Sequence, residues 1–348
     1  ERIYALLQES TRYFFIALGI GGWQPMSARE VDQFKYSDCK GLSNYTVSML
    51  HAVDVPAYYT LIRAGINEQK NQYPDFPNPR FNHVFACVPL GKDTMWLECT
   101  DQSGSCGFLS YNTDDRPALV ITPEGGKLVQ TPKYDEHSNT VRRETQVELQ
   151  PDGSAVLRSS DVYKGLSSMF QAELSELHSE IQKKALYENL SLSDFEIKSI
   201  DFKMLKGRLP EAQRTLELSV PKFASASGKR LFVPVLALAP KITPTATDSI
   251  RKYPVQVTTR GFTMEDYLTI VIPEGYTLEN AVTPLSYTSP FGTYELSIKN
   301  EPGGRLLIYR KLMLNNSIQP KEQFETLVNF FKNIAKADKT KLVLAKGT

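Results

Sequence analysis

Three short stretches of the chain carry residue types that together could do thiol chemistry. Cys39 stands in Tyr-Ser-Asp-Cys-Lys-Gly, His83 in Phe-Asn-His-Val-Phe and Glu98 in Trp-Leu-Glu-Cys-Thr. A cysteine that opens a helix, a histidine that starts a strand and an acid on the next strand supply a nucleophile, a base and a group that orients the base. This order predicts attack of a thiolate on a carbonyl carbon.

The element that must position the nucleophile is a helix. Asp38 is a typical N-cap residue, and 42–53 has the apolar spacing of a helix. The helix N-terminus and the neighbouring Lys40 favour the thiolate form of Cys39. The alternative is that Cys39 is a small buried apolar side chain, as most free cysteines are.

The base and the acid require a hairpin, which we predict over 83–100. Alternation along its strands places Trp96 and Glu98 on the face to which His83 belongs. We therefore expect Glu98, rather than Asp101, to orient the imidazole. The other three histidines lie in helical patterns or in a polar segment.

Two residues before the cysteine could stabilise an oxyanion. Trp23 and Gln24 follow a glycine-rich segment, and either could donate a hydrogen bond alongside the backbone N–H of Cys39. The alternative places Trp23 in the core and Gln24 on the surface.

The stretches Gly-Ile-Gly-Gly-Trp-Gln-Pro (19–25) and Val-Pro-Ala-Tyr-Tyr (55–59) complete a pattern with the three motifs above. With them, residues 1–127 resemble the core of transglutaminase-like proteins. The resemblance is to large secreted Bacteroidetes proteins that flank this core with two domains of unknown function. Residues 128–348 resemble the β-rich C-terminal part of the same proteins.

The resemblance implies a papain-like α+β core, with Cys39, His83 and Glu98 as its catalytic triad. It also implies a periplasmic or extracellular location and an N-terminal part missing from this chain. The family's Gly-Asp-Cys-Lys-Asp carries Ser37 and Gly41 here, and its Asp-Pro-Thr is replaced by Glu-Cys-Thr (98–100).

The composition is that of an ordinary soluble globular protein. The chain has 348 residues, with 40 Lys plus Arg and 39 Asp plus Glu. This length suggests two domains, or three. The balanced charge gives no support for nucleic acid as a partner. No apolar run approaches the roughly 20 residues that a membrane span needs.

All four cysteines lie in the first third of the chain: Cys39, Cys87, Cys99 and Cys106. Cys99 and Cys106 are close enough in sequence to pair across a loop, and both the paired and the free state are open. The spacings fit no zinc pattern, so we expect neither a metal site nor a cofactor.

The remaining patterns divide the chain. Residues 67–80 are predicted to form a polar surface loop, and 123–138 a linker. The region 128–348 is predicted to be β-sandwich-like, with a possible break near 250. Within it, long helices are expected at 169–190 and about 321–336.

Together these features predict a thiol-dependent amide hydrolase, a protease or peptidase, with acyl transfer to an amine as its variant. The substrate would be a protein or a peptide. The alternative is a secreted, non-enzymatic scaffold whose β-sandwiches bind a partner or a glycan and whose triad is vestigial.

Overall fold

The computed structural model of the chain describes residues 1–16, 18–66, 76, 79–192, 194–240, 242, 251–280 and 282–347. The chain forms two compact units, Glu1–Lys133 with Lys206–Pro210, and Tyr134–Leu205 with Glu211–Thr348. The predicted break near 250, and most of the predicted loop at 67–80, lie outside the described residues.

The first unit combines three helices with a five-stranded sheet and a short strand pair. Its elements are α1 (Arg2–Ser10), β1 (Arg12–Tyr13), α2 (Ala28–Phe34), β2 (Tyr36–Ser37), α3 (Cys39–His51), β3 (Tyr58–Ile62), β4 (His83–Leu90), β5 (Asp93–Leu97), β6 (Pro117–Thr122) and β7 (Gly125–Gln130), with a 3-10 turn at Gly19–Gly22.

The five-stranded sheet is antiparallel throughout, in the order β5-β4-β3-β6-β7. Each of its faces has its own core. On one face, Ala86 and Leu97 pack with Leu42 of α3. On the other, Phe85 packs edge-on against Trp96 with ring centroids 5.5 Å apart. The strands are buried on both faces because α3 covers one face and the segment that contains Leu109 packs on the other.

The second unit contains most of the strands. Its elements are β8 (Thr140–Leu149), β9 (Ala155–Lys164), α4 (Met169–Ser175), α5 (Ser179–Asn189), β10 (Glu196–Leu205), β11 (Glu211–Val220), β12 (Ser225–Ser227), β13 (Arg230–Pro234), β14 (Val255–Gln256), β15 (Phe262–Val271), β16 (Tyr276–Leu278), β17 (Leu285–Ser289), β18 (Gly292–Glu301), β19 (Arg305–Leu314), β20 (Ile318–Gln319), α6 (Phe324–Asp338) and β21 (Lys341–Lys346), with 3-10 turns at Gly165–Ser168 and Lys321–Gln323.

An eight-stranded sheet in the order β10-β11-β9-β8-β15-β19-β18-β17 and a four-stranded sheet in the order β12-β13-β21-β16 share one core. Leu157 and Leu218 of the larger sheet, Val233 and Leu344 of the smaller, and Ile334 of α6 all belong to it. The chain is thus mixed α+β with large sheets, as predicted. None of the helices in the described ranges is long and apolar enough to cross a membrane.

Five charged side chains of the large sheet lie in one register row, which we call the charge ladder. In strand order they are Arg214, Asp161, Arg143, Asp266 and Arg310. The signs alternate, and neighbours on β8, β15 and β19 are in contact, with Arg143 Nη1 2.8 Å and Arg310 Nη1 3.1 Å from the Asp266 carboxylate.

The ladder ends on helix α6. Arg310, 1% exposed, forms a two-pronged ion pair with Asp338, with Nε–Oδ1 and Nη2–Oδ2 at 2.9 and 3.0 Å. At the other end, Arg214 Nη2 lies 2.5 Å from Asp161 Oδ2. Buried charges are tolerated when they are paired in this way, and the row fixes the register of five strands.

Three predicted boundaries differ from the observed ones. The predicted linker at 123–138 contains strand β7, which closes a hairpin with β6, so the predicted domain boundary at 127/128 cuts that strand and the unit continues to Lys133. The predicted helix at 169–190 is two helices, because the His178 side chain caps α5 with its Nδ1. The second strand of the 83–100 hairpin ends at Leu97.

Candidate active site

Helix α3 places Cys39 at its first position. Asp38 is the N-cap, and its Oδ1 accepts hydrogen bonds from the backbone N–H groups of Lys40 at 3.0 Å and Gly41 at 3.2 Å. The ammonium of Lys40 forms an ion pair with the other oxygen of the Asp38 carboxylate. The cap satisfies the second and third amides of the helix and leaves the N–H of Cys39 unbonded among the described residues.

The helix is anchored to the strand that carries the histidine. Ser43, one turn after Cys39, donates from its hydroxyl to the backbone oxygen of Val84 on β4 at 3.2 Å. Asn82 holds the start of β4 with its side-chain amide, which bonds the backbone N–H and carbonyl of Ala64 at 2.7 and 2.9 Å. The Ser43 bond joins the start of the helix to the strand, and the Asn82 bonds join the start of the strand to the chain after β3.

His83 and Glu98 form a largely buried pair. The Nε2 atom of His83 lies 2.9 Å from both oxygens of the Glu98 carboxylate, and the two side chains are 16% and 13% exposed. Glu98 is held in turn by Thr100, whose hydroxyl and backbone N–H donate to Oε1 at 2.8 and 3.3 Å. The hydroxyl of Tyr4 donates to the backbone oxygen of Glu98 at 2.8 Å.

Cys39 also interacts with His83: the thiol is near enough to the imidazole to be one of the causes that raise the pKa of His83. Because Nε2 faces the carboxylate, Nδ1 is the ring nitrogen left for the sulfur. Burial by itself would lower the pKa of His83, but the charge of Glu98 and the bonds to Cys39 and Glu98 raise this pKa to about 10. Burial would raise the pKa of Glu98, and the charge and hydrogen bond of His83 bring it below its ordinary value.

The geometry brings the three predicted residues together and leaves Asp101 out. Asp101 Oδ1 accepts from the backbone N–H groups of Ser103 and Gly104 at 3.0 and 2.7 Å, which is a local turn. Glu98 reaches the imidazole from just beyond β5, diagonally across the strand pair.

The two predicted oxyanion donors lie in different surroundings. Trp23 is 81% exposed, so it is not part of a core. Gln24 lines a cleft of about 260 Å³ that also has Asp38, Ser37, Met26 and Ile20 on its walls. Gln24 therefore shares this cleft with the N-cap of α3.

Ser37 and Gly41 are the two positions at which the chain differs from the pattern of the family it resembles. The Ser37 side chain lies where a side chain at position 41 would have to go. A Cβ added to Gly41 would lie 2.0 Å from Ser37 Oγ and 2.8 Å from Ser37 Cβ. Only a residue without a side chain fits at 41 while serine occupies 37. The two departures compensate each other sterically and leave the backbone of the helix start regular.

Two tyrosines near the nucleophile escaped the sequence reasoning. Burial and the charges of Cys39 and Asp38 raise the pKa of Tyr59. Tyr13 is affected by burial, Cys39, Asp38 and Glu98 in that order, which also raise its pKa. The sequence gives little indication of such a role for Tyr59, because aromatic residues are common in the strands of any sheet.

The remaining cysteines do not form a second site. All four thiols are free, so the possible Cys99–Cys106 disulfide is absent. Within the described residues, no group of three or more His, Cys, Asp or Glu side chains could hold a metal ion.

Comparison with known proteins gives limited matches. Residues 229–344, from β13 to β21, match DUF3858, a domain of unknown function. No curated protein matches the chain. A crystal structure from Parabacteroides distasonis, described as a "putative protease", is 11% identical, with a TM-score of 0.48; the match covers 99% of this chain and 50% of that one. The chain thus spans half the length of that structure.

Proposed function

We propose that the first unit is a transglutaminase-like thiol hydrolase that cleaves amide bonds through Cys39, His83 and Glu98. The observation that carries this proposal is the continuous chain of contacts from the thiol through the imidazole to a buried carboxylate. A structural histidine needs neither a thiol on one nitrogen nor a carboxylate bound through both oxygens on the other.

The reaction begins from the thiolate–imidazolium pair. The sulfur of Cys39 attacks the amide carbonyl carbon, and the carbonyl oxygen becomes an oxyanion that the free N–H of Cys39 can bind. The C–N bond then breaks as the His83 imidazolium gives its proton to the leaving amine. The product on the enzyme is a thioester.

The second half reverses these roles. Neutral His83 takes a proton from water, the hydroxide adds to the thioester carbon, and the C–S bond breaks to release a carboxylic acid and the thiolate. An amine in place of water would give acyl transfer. Glu98 keeps the imidazole oriented and stabilises its cationic form in both halves. Gln24, beside Asp38 in the cleft, is a candidate second donor to the oxyanion, as is Trp23.

A small activated ester tests the nucleophile without knowledge of the natural substrate. Incubated with 4-nitrophenyl acetate, the full chain should release about one equivalent of nitrophenolate in a burst and carry an acetyl group on Cys39 by mass spectrometry. The variant Cys39→Ser should lose the burst. Added glycine ethyl ester then separates transfer from hydrolysis by the product formed.

The alternative of a vestigial triad predicts a different result. Cys39 would then acylate no faster than a thiol in the unfolded chain, and Cys39→Ser and the wild type would release nitrophenolate equally. That outcome would overturn the proposed chemistry. Periplasmic or extracellular localisation remains a prediction of the family resemblance, to be tested by fractionation of the native host.

A further inference from the structure

A cleft of about 260 Å³ borders the first turn of α3, and one of its walls is the loop between β1 and α2. Contacts near both ends of this loop join it to the helix. The side-chain nitrogen of Lys40, the residue after Cys39, donates to the backbone oxygen of Ile16 at 3.5 Å. Asn44, one turn further along α3, donates from its amide to the backbone oxygen of Met26 at 3.3 Å. The wall of the cleft is therefore attached to the helix turn that carries the thiol.

The side chains that the loop contributes to the cleft are mostly apolar. They belong to Ile16, Ile20, Pro25 and Met26, with Gln24 as the polar member. A volume of about 260 Å³ is smaller than the roughly 300–1,000 Å³ of ordinary ligand pockets, so it suits one large side chain rather than a longer ligand. An apolar side chain gains free energy when it leaves water for such walls.

The two carboxylates at the cleft do not favour a basic side chain. The charge of Asp38 is balanced by its ion pair with Lys40. Glu30 is turned towards the N-cap of its own helix, where its Oε2 accepts from the backbone N–H of Ser27 at 3.0 Å and from the Ser27 hydroxyl at 2.6 Å. A lysine or arginine side chain would have to compete with these partners. An uncharged apolar side chain would not.

We propose that this cleft binds a large apolar side chain of the substrate, on the residue whose carbonyl carbon Cys39 attacks. The inference rests on the proposed acyl chemistry and names its substrate class, which is a polypeptide cleaved after residues such as leucine. That side chain branches from the carbon next to the attacked carbonyl. Because the cleft is lined by Asp38, the residue before the nucleophile, this branch is the substrate group nearest to it.

Three activated esters test the preference without a natural substrate: the 4-nitrophenyl esters of N-acetyl-leucine, N-acetyl-glycine and Nα-acetyl-lysine. Nitrophenolate release reports acylation of Cys39 in the full chain. Each rate is divided by the rate of the same ester with free N-acetylcysteine, which removes differences in intrinsic reactivity. We expect the corrected rate of the leucine ester to exceed the other two at least about tenfold, as apolar pockets discriminate.

A matched pair of variants tests whether the cleft carries this preference. Ile20 and Leu18 lie in the same loop and are 74% and 90% exposed, but Ile20 lines the cleft and Leu18 does not. Ile20→Ala should lower the leucine preference at least about threefold, because part of the wall is lost. Leu18→Ala should leave it within about twofold.

A third variant fills the cleft. Gly21 lines it, and a Cβ added there would lie 3.4 Å from Ile16 Cγ2, in contact with the opposite wall. In Gly21→Leu the new side chain occupies the space of the substrate side chain, so we expect the preference for the leucine ester to disappear. Iodoacetamide needs no cleft, and an unchanged rate of Cys39 alkylation in each variant reports an intact site.

Equal corrected rates for the three esters would overturn the proposal, as would a faster lysine ester or a leucine preference that survives Gly21→Leu. Failure of the proposed function gives a different pattern, in which no ester produces a burst or an acyl group on Cys39 in the wild type. Failure of the cleft proposal alone leaves the wild-type burst intact and without preference.

Discussion

At the residue scale, Cys39 differs from the other three thiols in its surroundings. Desolvation raises the pKa of Cys87, of Cys106 and, to about 12, of Cys99. Cys39 instead opens a helix beside an imidazole. We expect iodoacetamide at neutral pH to label Cys39 in the folded chain at least about tenfold faster than the others. Peptide mass spectrometry checks this, and preferential labelling of Cys87 or Cys106 would contradict it.

The pairing of His83 with Glu98 has a defined pH dependence. A histidine whose pKa rises on folding stabilises the folded state fully below its unfolded value of 6.5, and this contribution is lost as the pH rises towards about 10. The lowered pKa of Glu98 contributes above 4.5 and is lost as the pH falls. The two together stabilise the fold most between pH 4.5 and 6.5.

We therefore expect Glu98→Gln to lower the free energy of unfolding most between pH 4.5 and 6.5, with the loss shrinking towards pH 10. Urea unfolding across pH measures the difference from the wild type. The control Asp101→Asn keeps an oxygen that can accept from Ser103 and Gly104, and should change stability by less than about 0.5 kcal/mol at every pH.

Alkylation of Cys39 across pH gives an independent reading of the same pair. In Glu98→Gln, the imidazolium should be lost at a lower pH, and the alkylation profile should shift with it. A profile altered by Asp101→Asn and untouched by Glu98→Gln would reverse the assignment and would require a different hairpin register.

At the scale of elements, the start of α3 depends on the fit between Ser37 and Gly41. We expect Gly41→Ala alone to destabilise the chain, because the new Cβ would overlap the Ser37 side chain. In the Ser37→Gly background the same change should cost less. The coupling between the two changes should reach about 1–3 kcal/mol.

A double-mutant cycle with urea unfolding measures this coupling. Additive effects would show that the space at the helix start is not shared. The cycle also tests the steric fit at the helix start: a residue with a side chain at 41 requires room at 37, whereas here the side chain is at 37 and position 41 has none.

At the scale of the whole molecule, the charge ladder fixes which strands are neighbours. Asp266 compensates both Arg143 and Arg310. We expect Asp266→Asn to lower the free energy of unfolding by about 3–5 kcal/mol, because two buried guanidinium groups lose their shared counter-charge. Urea unfolding monitored by circular dichroism measures the loss.

Glu144→Gln is the matched control for the ladder. Glu144 lies next to Arg143 on β8 but on the opposite, solvent-facing side of the sheet, where it pairs with Arg142. Exposed pairs contribute little, so we expect a change of about 0.5 kcal/mol or less. Equal losses in the two variants would show that burial does not set the value of the Asp266 pairs.

The features that sequence alone determined are local. The N-cap of α3 at Asp38 follows from residues within one turn of each other. Strand alternation likewise selected Glu98 over Asp101, because a two-residue period survives across a short hairpin.

The tertiary structure decided the rest, because it depends on which distant strands pair. Parallel pairing of β8 with β15 brings Arg143 and Asp266 together over 123 residues, and no local pattern specifies such a neighbour. Long-range pairing is set by the total burial of the sheets, which is a property of the whole chain.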